Sequence, residues 1–334
     1  MKILFISSLN EKESRLNDFM HDIVLHGLRE IYGNNVTDYP GVWYMYRDEV
    51  KKRNYDINNL WGKGFTLYNL LSNYQQIDRT DIEKKIKTNY FDFIIFGSIH
   101  KPRFFFNEAI NSKSKIIFVD GNDHPFINEQ ITGKGVYFKR ELISDNIKNV
   151  YPINFAIPKE KIIHTINPKP LNVLAPLIPG KKSAYIYKHE QDYYQKYQDS
   201  IFALTYKKMG WDSLRHYEIL MNGCIPLFLD IDKCPEKILT NFPKKILFDI
   251  FKQYSWILNQ FFPTNIYKKK FLTIEKFFLY FHNLFKKKHT GISFIDSHSE
   301  IIEIKEQLID YTKTRLTTEN VAKNIISDTL KYYI

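Results

Sequence analysis

Apolar positions along this chain fall into short unbroken runs separated by stretches with helical spacing. Lys2 to Ser7, Tyr90 to Phe96 and Lys115 to Asp120 are mostly apolar runs followed by polar, glycine or acidic residues. That is the pattern of central parallel strands buried on both faces. Leu16 to Ile31 places apolar residues at Leu16, Phe19, Met20, Ile23, Val24, Leu28 and Ile31, and Gly33-Asn34-Asn35 ends the run. This spacing predicts an amphipathic helix with a glycine stop. Val42 to Tyr46 reads as a second strand.

Pro152 to Pro168 carries several prolines without clear periodicity, which suits a linker. Beyond it, Leu171 to Ala175, Ser183 to Tyr187, Phe202 to Tyr206 and Ile225 to Leu229 read as a second set of strands, with helices at His189 to Asp199 and Leu214 to Met221. From Phe251 the chain turns helical and aromatic, ending in a helix from about Thr318 to Tyr332. Strands alternating with helices predict an α/β protein with two doubly wound, Rossmann-like units. The expected division is 1–160, 161–250 and a helical region 251–334 that packs back on both. No G-x-G-x-x-G follows the first strand, which argues against a standard NAD or FAD fold.

The segment Gly210-Trp211-Asp212-Ser213-Leu214-Arg215-His216-Tyr217-Glu218-Ile219-Leu220-Met221-Asn222-Gly223-Cys224-Ile225-Pro226 is the most informative in the chain. It reads as loop, short helix, glycine stop and buried strand. Leu214, Tyr217, Leu220 and Met221 form the apolar stripe, Asp212 or Ser213 can cap the start, and Gly223 can supply the stop. Arg215 and Glu218 lie about 60° apart around the helix axis and can point into one cleft. A cation for phosphate oxygens beside a carboxylate for ribose hydroxyls suits a sugar-nucleotide site. The competing reading is a surface pair three residues apart, which is common and weak.

The pattern Arg-x-x-Glu-x-(apolar)-x-x-Gly-x-Ile-Pro resembles the donor-site segment of GT-B glycosyltransferases, closest to the exostosin-like and group 1-like branches. The resemblance is specific over roughly Ile201 to Lys245, looser around Val119 to Pro158, and architectural elsewhere. It implies two Rossmann-like domains facing a cleft (GT-B-like), with the C-terminal helix crossing back onto the first. It also implies a donor diphosphate held by the helix N-terminus and a basic residue, with the helix glutamate on the ribose. Carried onto this sequence, Arg215 holds the diphosphate, Lys207 or Lys208 adds charge on the loop with Gly210 and Asp212, and Glu218 holds the ribose.

Other residues complete the candidate set. Val119-Asp120-Gly121-Asn122-Asp123-His124 follows a predicted central strand, where open α/β sheets bind ligands. In the GT-B reading Asp123 or His124 touches the acceptor hydroxyl; the alternative is an ordinary Asp/Asn/Gly turn. Lys139 and Arg140 can bind phosphate or an acidic acceptor, or form a solvated pair. Trp211 can stack on a base or anchor packing. Asp230-Ile231-Asp232 matches a D-x-D metal motif, but three residues carry little weight.

Composition narrows the classes. At 334 residues with 44% hydrophobic and 25% charged, the chain can fold as two domains of ordinary size. Its two cysteines and the absence of a Cys/His cluster predict free thiols, a cytoplasmic setting and no metal site. Ile3 to Ile6 is too short for a signal peptide. Net charge is +11, with clusters at Lys51-Lys52-Arg53, Lys181-Lys182, Lys268-Lys269-Lys270 and Lys286-Lys287-Lys288. Tyr267 to His289 is amphipathic and basic, so it reads either as a core-packed helix or as a peripheral contact with an anionic membrane surface. Three function classes follow: a metal-independent glycosyltransferase acting on a glycan or other hydroxyl acceptor, a non-catalytic nucleotide-sugar-binding protein, and a nucleic-acid-associated protein. The last is disfavoured because no RNP, zinc or helix-turn-helix signature appears. No cofactor is expected beyond the nucleotide-sugar donor itself.

Overall fold

The computed structural model describes residues 1–7, 9, 17–101, 103–144, 147–180, 186–261 and 298–333. Six parallel strands form the larger sheet: β1 (Ile3–Ile6), β2 (Val36–Tyr39), β3 (Phe93–Phe96), β4 (Lys115–Asp120), β5 (Val136–Lys139) and β6 (Val150–Pro152), in the order β2-β1-β3-β4-β5-β6. β1, β3 and β5 are buried along their whole length, as unbroken apolar runs require when helices cover both faces. A separate parallel sheet holds β7 (Asn172–Leu174), β8 (Ser200–Thr205) and β9 (Ile225–Phe228) in that order. The protein is therefore α/β with a six-strand and a three-strand parallel sheet and Rossmann-like winding.

Helix α1 (Phe19–Tyr32) begins where the side chain of Asp18 accepts from the amides of Met20 and His21 at 3.0 and 3.3 Å. The expected strand at Val42 to Tyr46 is instead a buried 3-10 turn at Trp43–Met45; the strand lies earlier, pairing Ile3 with Val36. Pro40 and Gly41 end β2, because proline offers no amide to the ladder. The sequence reading placed no strand at Val136 to Lys139, where β5 lies and its last residue pairs in register with Asp120 of β4. Residues 183–185 of one expected strand, and the amphipathic segment Tyr267 to His289, lie outside the described residues. Ile186 and Tyr187 are not in a strand.

Along the larger sheet the chain runs from β1 to β2 on one side and then to β3 on the other. The strand order thus reverses between β1 and β3, and a crevice opens outside their C-terminal ends. The short helices α2 (Arg47–Arg53), α3 (Ile82–Lys87), α4 (Phe106–Ile110) and α5 (Glu129–Thr132) lie in the larger half. In the smaller half α6 (Glu190–Gln198) leads into β8, and α7 (Leu214–Met221) leads into β9. α8 (Lys244–Tyr254) and α9 (Trp256–Phe261) follow.

Two C-terminal helices strap the halves together. α10 (His298–Arg315) reaches the smaller sheet, where buried Lys305 donates to the Ser200 carbonyl at 3.0 Å. α11 (Thr318–Tyr333) lies against α1, and the Tyr333 hydroxyl accepts from the Ile116 amide at 3.2 Å. One hydrophobic core runs through both halves, from Ile3 and Val24 to Phe202 and Leu227; a smaller one lies on the other face of the larger sheet. Among the described residues no helix is long and apolar enough to cross a membrane.

The α1–α11 crossing depends on Gly27, because a Cβ there would lie 2.0 Å from the Thr318 carbonyl oxygen. Gly27→Ala forces the helices apart, and overpacking of this kind costs about 1–3 kcal/mol. Denaturant titration should show that loss despite the higher helix propensity of alanine; unchanged or raised stability would contradict the close crossing.

Candidate functional site

The C-terminal ends of both sheets open onto one cavity of about 940 Å³. The larger sheet contributes Asp18 after β1, Ser98 and His100 after β3, Asp123 after β4 and Arg140 after β5. The opposite wall is the loop after β8 and the start of α7, with Lys208, Gly210, Asp212, Arg215 and Glu218. Residues far apart in sequence meet here because parallel strands put all their C-terminal loops at the same edge.

The two walls are joined by a buried clamp. Glu141, just past β5, accepts from the amides of Trp211 and Asp212 at 3.0 and 2.9 Å. Its neighbour Arg140 donates Nε to the Gly121 carbonyl at 2.8 Å, Nη1 to Glu141 and to the Asp212 carbonyl, and Nη2 to Asp123. The guanidinium also stacks over Phe155 at 4.5 Å. Gly210 is required by this closeness, since a Cβ there would lie 2.5 Å from Glu141 Oε1. Asp212 does not cap α7: its Oδ2 accepts from the Phe155 amide at 2.7 Å. Ser213 occupies the N-cap position without a side-chain cap bond, so the helix start faces the cavity uncapped.

His216 fixes the loop from behind. It is buried, and burial lowers its pKa to about 3, so the ring is neutral. Nε2 lies 2.9 Å from the Trp211 carbonyl, which can only accept, so Nε2 carries the hydrogen and Nδ1 accepts from Thr205 at 2.8 Å. Trp211 is buried, lies outside the cavity wall and has the Lys207 ammonium over its ring at 5.1 Å. It packs in this structure, and Lys207 turns to it while Lys208 lines the cavity.

Glu218 is buried in the cavity wall, not paired on the surface as the competing reading had it. Its Oε1 lies 2.7 Å from Thr66 Oγ1, and its Oε2 accepts from Tyr193 at 2.9 Å. Burial raises its pKa, outweighing those hydrogen bonds and the Arg215 charge. Arg215 is half-buried beside it on the same wall.

Across the cavity stands a pair that the sequence reading did not find. His100 Nε2 lies 2.9 Å from Asp120 Oδ1, with the imidazole 45% exposed and the carboxylate fully buried. Asp120 also takes the Tyr137 hydroxyl at 2.6 Å, the Asn122 amide at 3.0 Å and the Lys139 ammonium at 3.0 Å. Burial opposes its charge, yet His100, Lys139 and these donors prevail and hold its pKa below the ordinary value. An ionised Asp120 can only accept, so His100 Nε2 carries the hydrogen, and in the neutral ring the lone pair is on Nδ1. His100 sits at the β3 end of the topological switch, a signal that strand order could have supplied.

The remaining candidates separate. Lys139 is fully buried on Asp120, because their register across β4 and β5 brings the charges together; it faces no ligand space. Arg140 lines the cavity but is committed to the clamp, with Asp123 as its ion partner. His124 is exposed beside Phe126 and lies outside the cavity wall. Asp230 Oδ1 accepts from the Lys207 amide at 3.2 Å. No group of three or more potential metal ligands occurs among the described residues.

Asp212 gives the clamp a pH signature. Burial, opposed chiefly by Arg140, raises its pKa from 3.8 to about 7. The native state therefore holds this proton more tightly than the unfolded state. Its stabilising contribution is complete below the unfolded value and is lost as pH rises through about 7. In that window Asp212→Asn should remove a slope of up to about 1.4 kcal/mol per pH unit from unfolding free energies measured by urea titration. An unchanged slope in the variant would contradict the assignment.

No protein-family model matches this chain, and no curated protein matches it, so the case for a function rests on this cavity.

Proposed function

We propose that the protein is a glycosyltransferase of GT-B type, with two domains either side of the cleft, moving a sugar from a nucleotide-sugar to an acceptor hydroxyl. The observation that carries this reading is the meeting, in one cavity, of the uncapped α7 start with Arg215 and Glu218 on one wall and the His100–Asp120 pair on the other. A helix start without a side-chain cap offers first-turn amides and the positive end of a dipole to a diphosphate. Arg215 adds a planar two-point donor, and Lys208 adds a point charge. Glu218, although engaged by Thr66 and Tyr193, keeps lone pairs for a ribose hydroxyl.

In the reaction, His100 Nδ1 accepts the acceptor hydroxyl proton as that oxygen attacks the anomeric carbon. The bond from that carbon to the donor phosphate breaks, and its electron pair leaves on the diphosphate. Asp120 holds the ring orientation and stabilises the imidazolium that forms, as the carboxylate does in other histidine–carboxylate pairs. The growing charge on the leaving group is met by Arg215, Lys208 and the α7 amides, an electrostatic task. His100 thus replaces Asp123 and His124 as the proposed base, because Asp123 is tied to Arg140 and His124 lies off the cavity.

A panel of nucleotide-sugars titrated calorimetrically, followed by a hydrolysis and transfer assay, tests the reading. Arg215→Ala should weaken donor binding by about 10- to 150-fold, the loss of a charge-assisted contact worth roughly 1.5–3 kcal/mol. Arg215→Lys should recover part of that loss. His100→Ala should leave donor affinity within about twofold while lowering turnover by about 10²–10⁴-fold. Wild-type affinity in Arg215→Ala, or wild-type turnover in His100→Ala, would contradict the assignment.

A further inference from the structure

A chain of oxygen atoms crosses the seam between the two halves at the edge of the cavity. Thr66, in the larger half, is fully buried with φ of +78°. A β-branched residue rarely adopts this left-handed region, which persists only where surrounding contacts impose it. The contacts here come from the smaller half. The Thr66 amide donates to Glu190 Oε1. Thr66 Oγ1 lies 2.7 Å from Glu218 Oε1 and 2.6 Å from the Tyr194 hydroxyl, which in turn lies 2.9 Å from Glu190 Oε1.

Counting hydrogens along this chain decides its protonation. Three oxygen–oxygen contacts of hydrogen-bond length need three hydrogens, one in each. Thr66 and Tyr194 supply one hydroxyl hydrogen each, and an ionised carboxylate supplies none. With both glutamates ionised, one contact would set lone pairs against lone pairs. The missing hydrogen must sit on a carboxyl at one end of the chain.

The two ends are not equivalent. Glu190 receives the Thr66 amide on Oε1 and the Lys161 ammonium on Oε2, so a donor hydrogen already reaches each of its oxygens. Glu218 is enclosed by Thr66 from the larger half, by Tyr193 and Tyr197 from α6, by Glu190 across the chain and by Arg215 from its own helix. Of these, only Arg215 carries a positive charge.

We propose that Glu218 is a neutral carboxylic acid in the ligand-free protein, and that its proton closes a latch, Glu218 to Thr66 to Tyr194 to Glu190, holding the two halves together. The donation then runs in one direction, each hydroxyl accepting one hydrogen and giving one. Ionising Glu218 removes a hydrogen from the chain, makes one contact repulsive and leaves the Thr66 backbone without the full set of bonds that holds it. The cleft is then more readily opened at higher pH. This inference does not depend on the reaction proposed above.

Glu218→Gln tests the latch, because an amide donates to Thr66 at every pH in place of the acid proton. The unfolding equilibrium constant of the wild type should rise relative to Glu218→Gln as pH climbs above 4.5, the ordinary carboxyl value, by up to tenfold per pH unit. Asp212 titrates alike in both proteins and cancels from the comparison. In a Thr66→Val background, which keeps the side-chain shape but removes the hydroxyl, the same comparison should shrink. Infrared spectra of the wild type at neutral pH supply a second readout that needs no variant. A protonated carboxyl band that moves on ¹³C-labelling of glutamate, and so is not that of Asp212, is expected. Parallel pH profiles for wild type and Glu218→Gln, or the absence of a glutamic acid band at neutral pH, would overturn the proposal.

Discussion

The structure depends on the clamp that Arg140 and Glu141 make with the loop in front of α7. Both side chains are almost fully buried, and between them they hold the amides of Trp211 and Asp212 and the carbonyls of Gly121 and Asp212. Buried charges are costly unless every donor and acceptor finds a partner, and removing one member of such a set typically costs about 3–5 kcal/mol. A buried ionic clamp is therefore a poor device for raw stability and an effective one for geometry. It sets the distance between the C-terminal ends of the two sheets, and that distance defines the cavity.

Positioning on one wall is answered on the other. Strand register brings Lys139 onto Asp120, and Asp120 in turn fixes the tautomer of His100. On the facing wall, neutral His216 holds the Trp211 carbonyl, which keeps the loop in place for Glu141. The groups to which the proposed reading gives the chemistry thus stand on supports that are buried and hydrogen-bonded, as preorganised sites require. The α10 and α11 straps act at longer range, one on each half, and the shared core makes the halves pack as one body of apolar side chains.

Much of the fold was legible in the sequence. The runs at β1, β3, β4, β8 and β9 are apolar enough to be recognised as buried strands, and the α1 and α7 stripes have clear helical spacing. β5 was hidden because its last residue is a lysine whose charge is neutralised by a partner 19 residues away on β4. Arg215 and Glu218 were legible as a pair on one side of a helix, since that follows from local geometry alone. The burial of Glu218 was not, because it depends on Thr66, 152 residues distant in the chain. His100 escaped for the same reason: its meaning lies in the reversal of strand order and in Asp120, neither of which local spacing reveals. Lys139 and Arg140 could be read as a solvated pair or a phosphate site, because adjacent ions on a surface and in a buried set are written identically in sequence.

The central claim is that the uncapped start of α7 receives the phosphates of a nucleotide donor. Amide hydrogen exchange measured with and without a saturating nucleoside diphosphate tests it most directly. The account predicts added protection at the start of α7, Ser213 to Arg215, where the first turn would donate to phosphate oxygens, with little change in α10 and α11. Protection confined to other segments, or none at saturation, would contradict it.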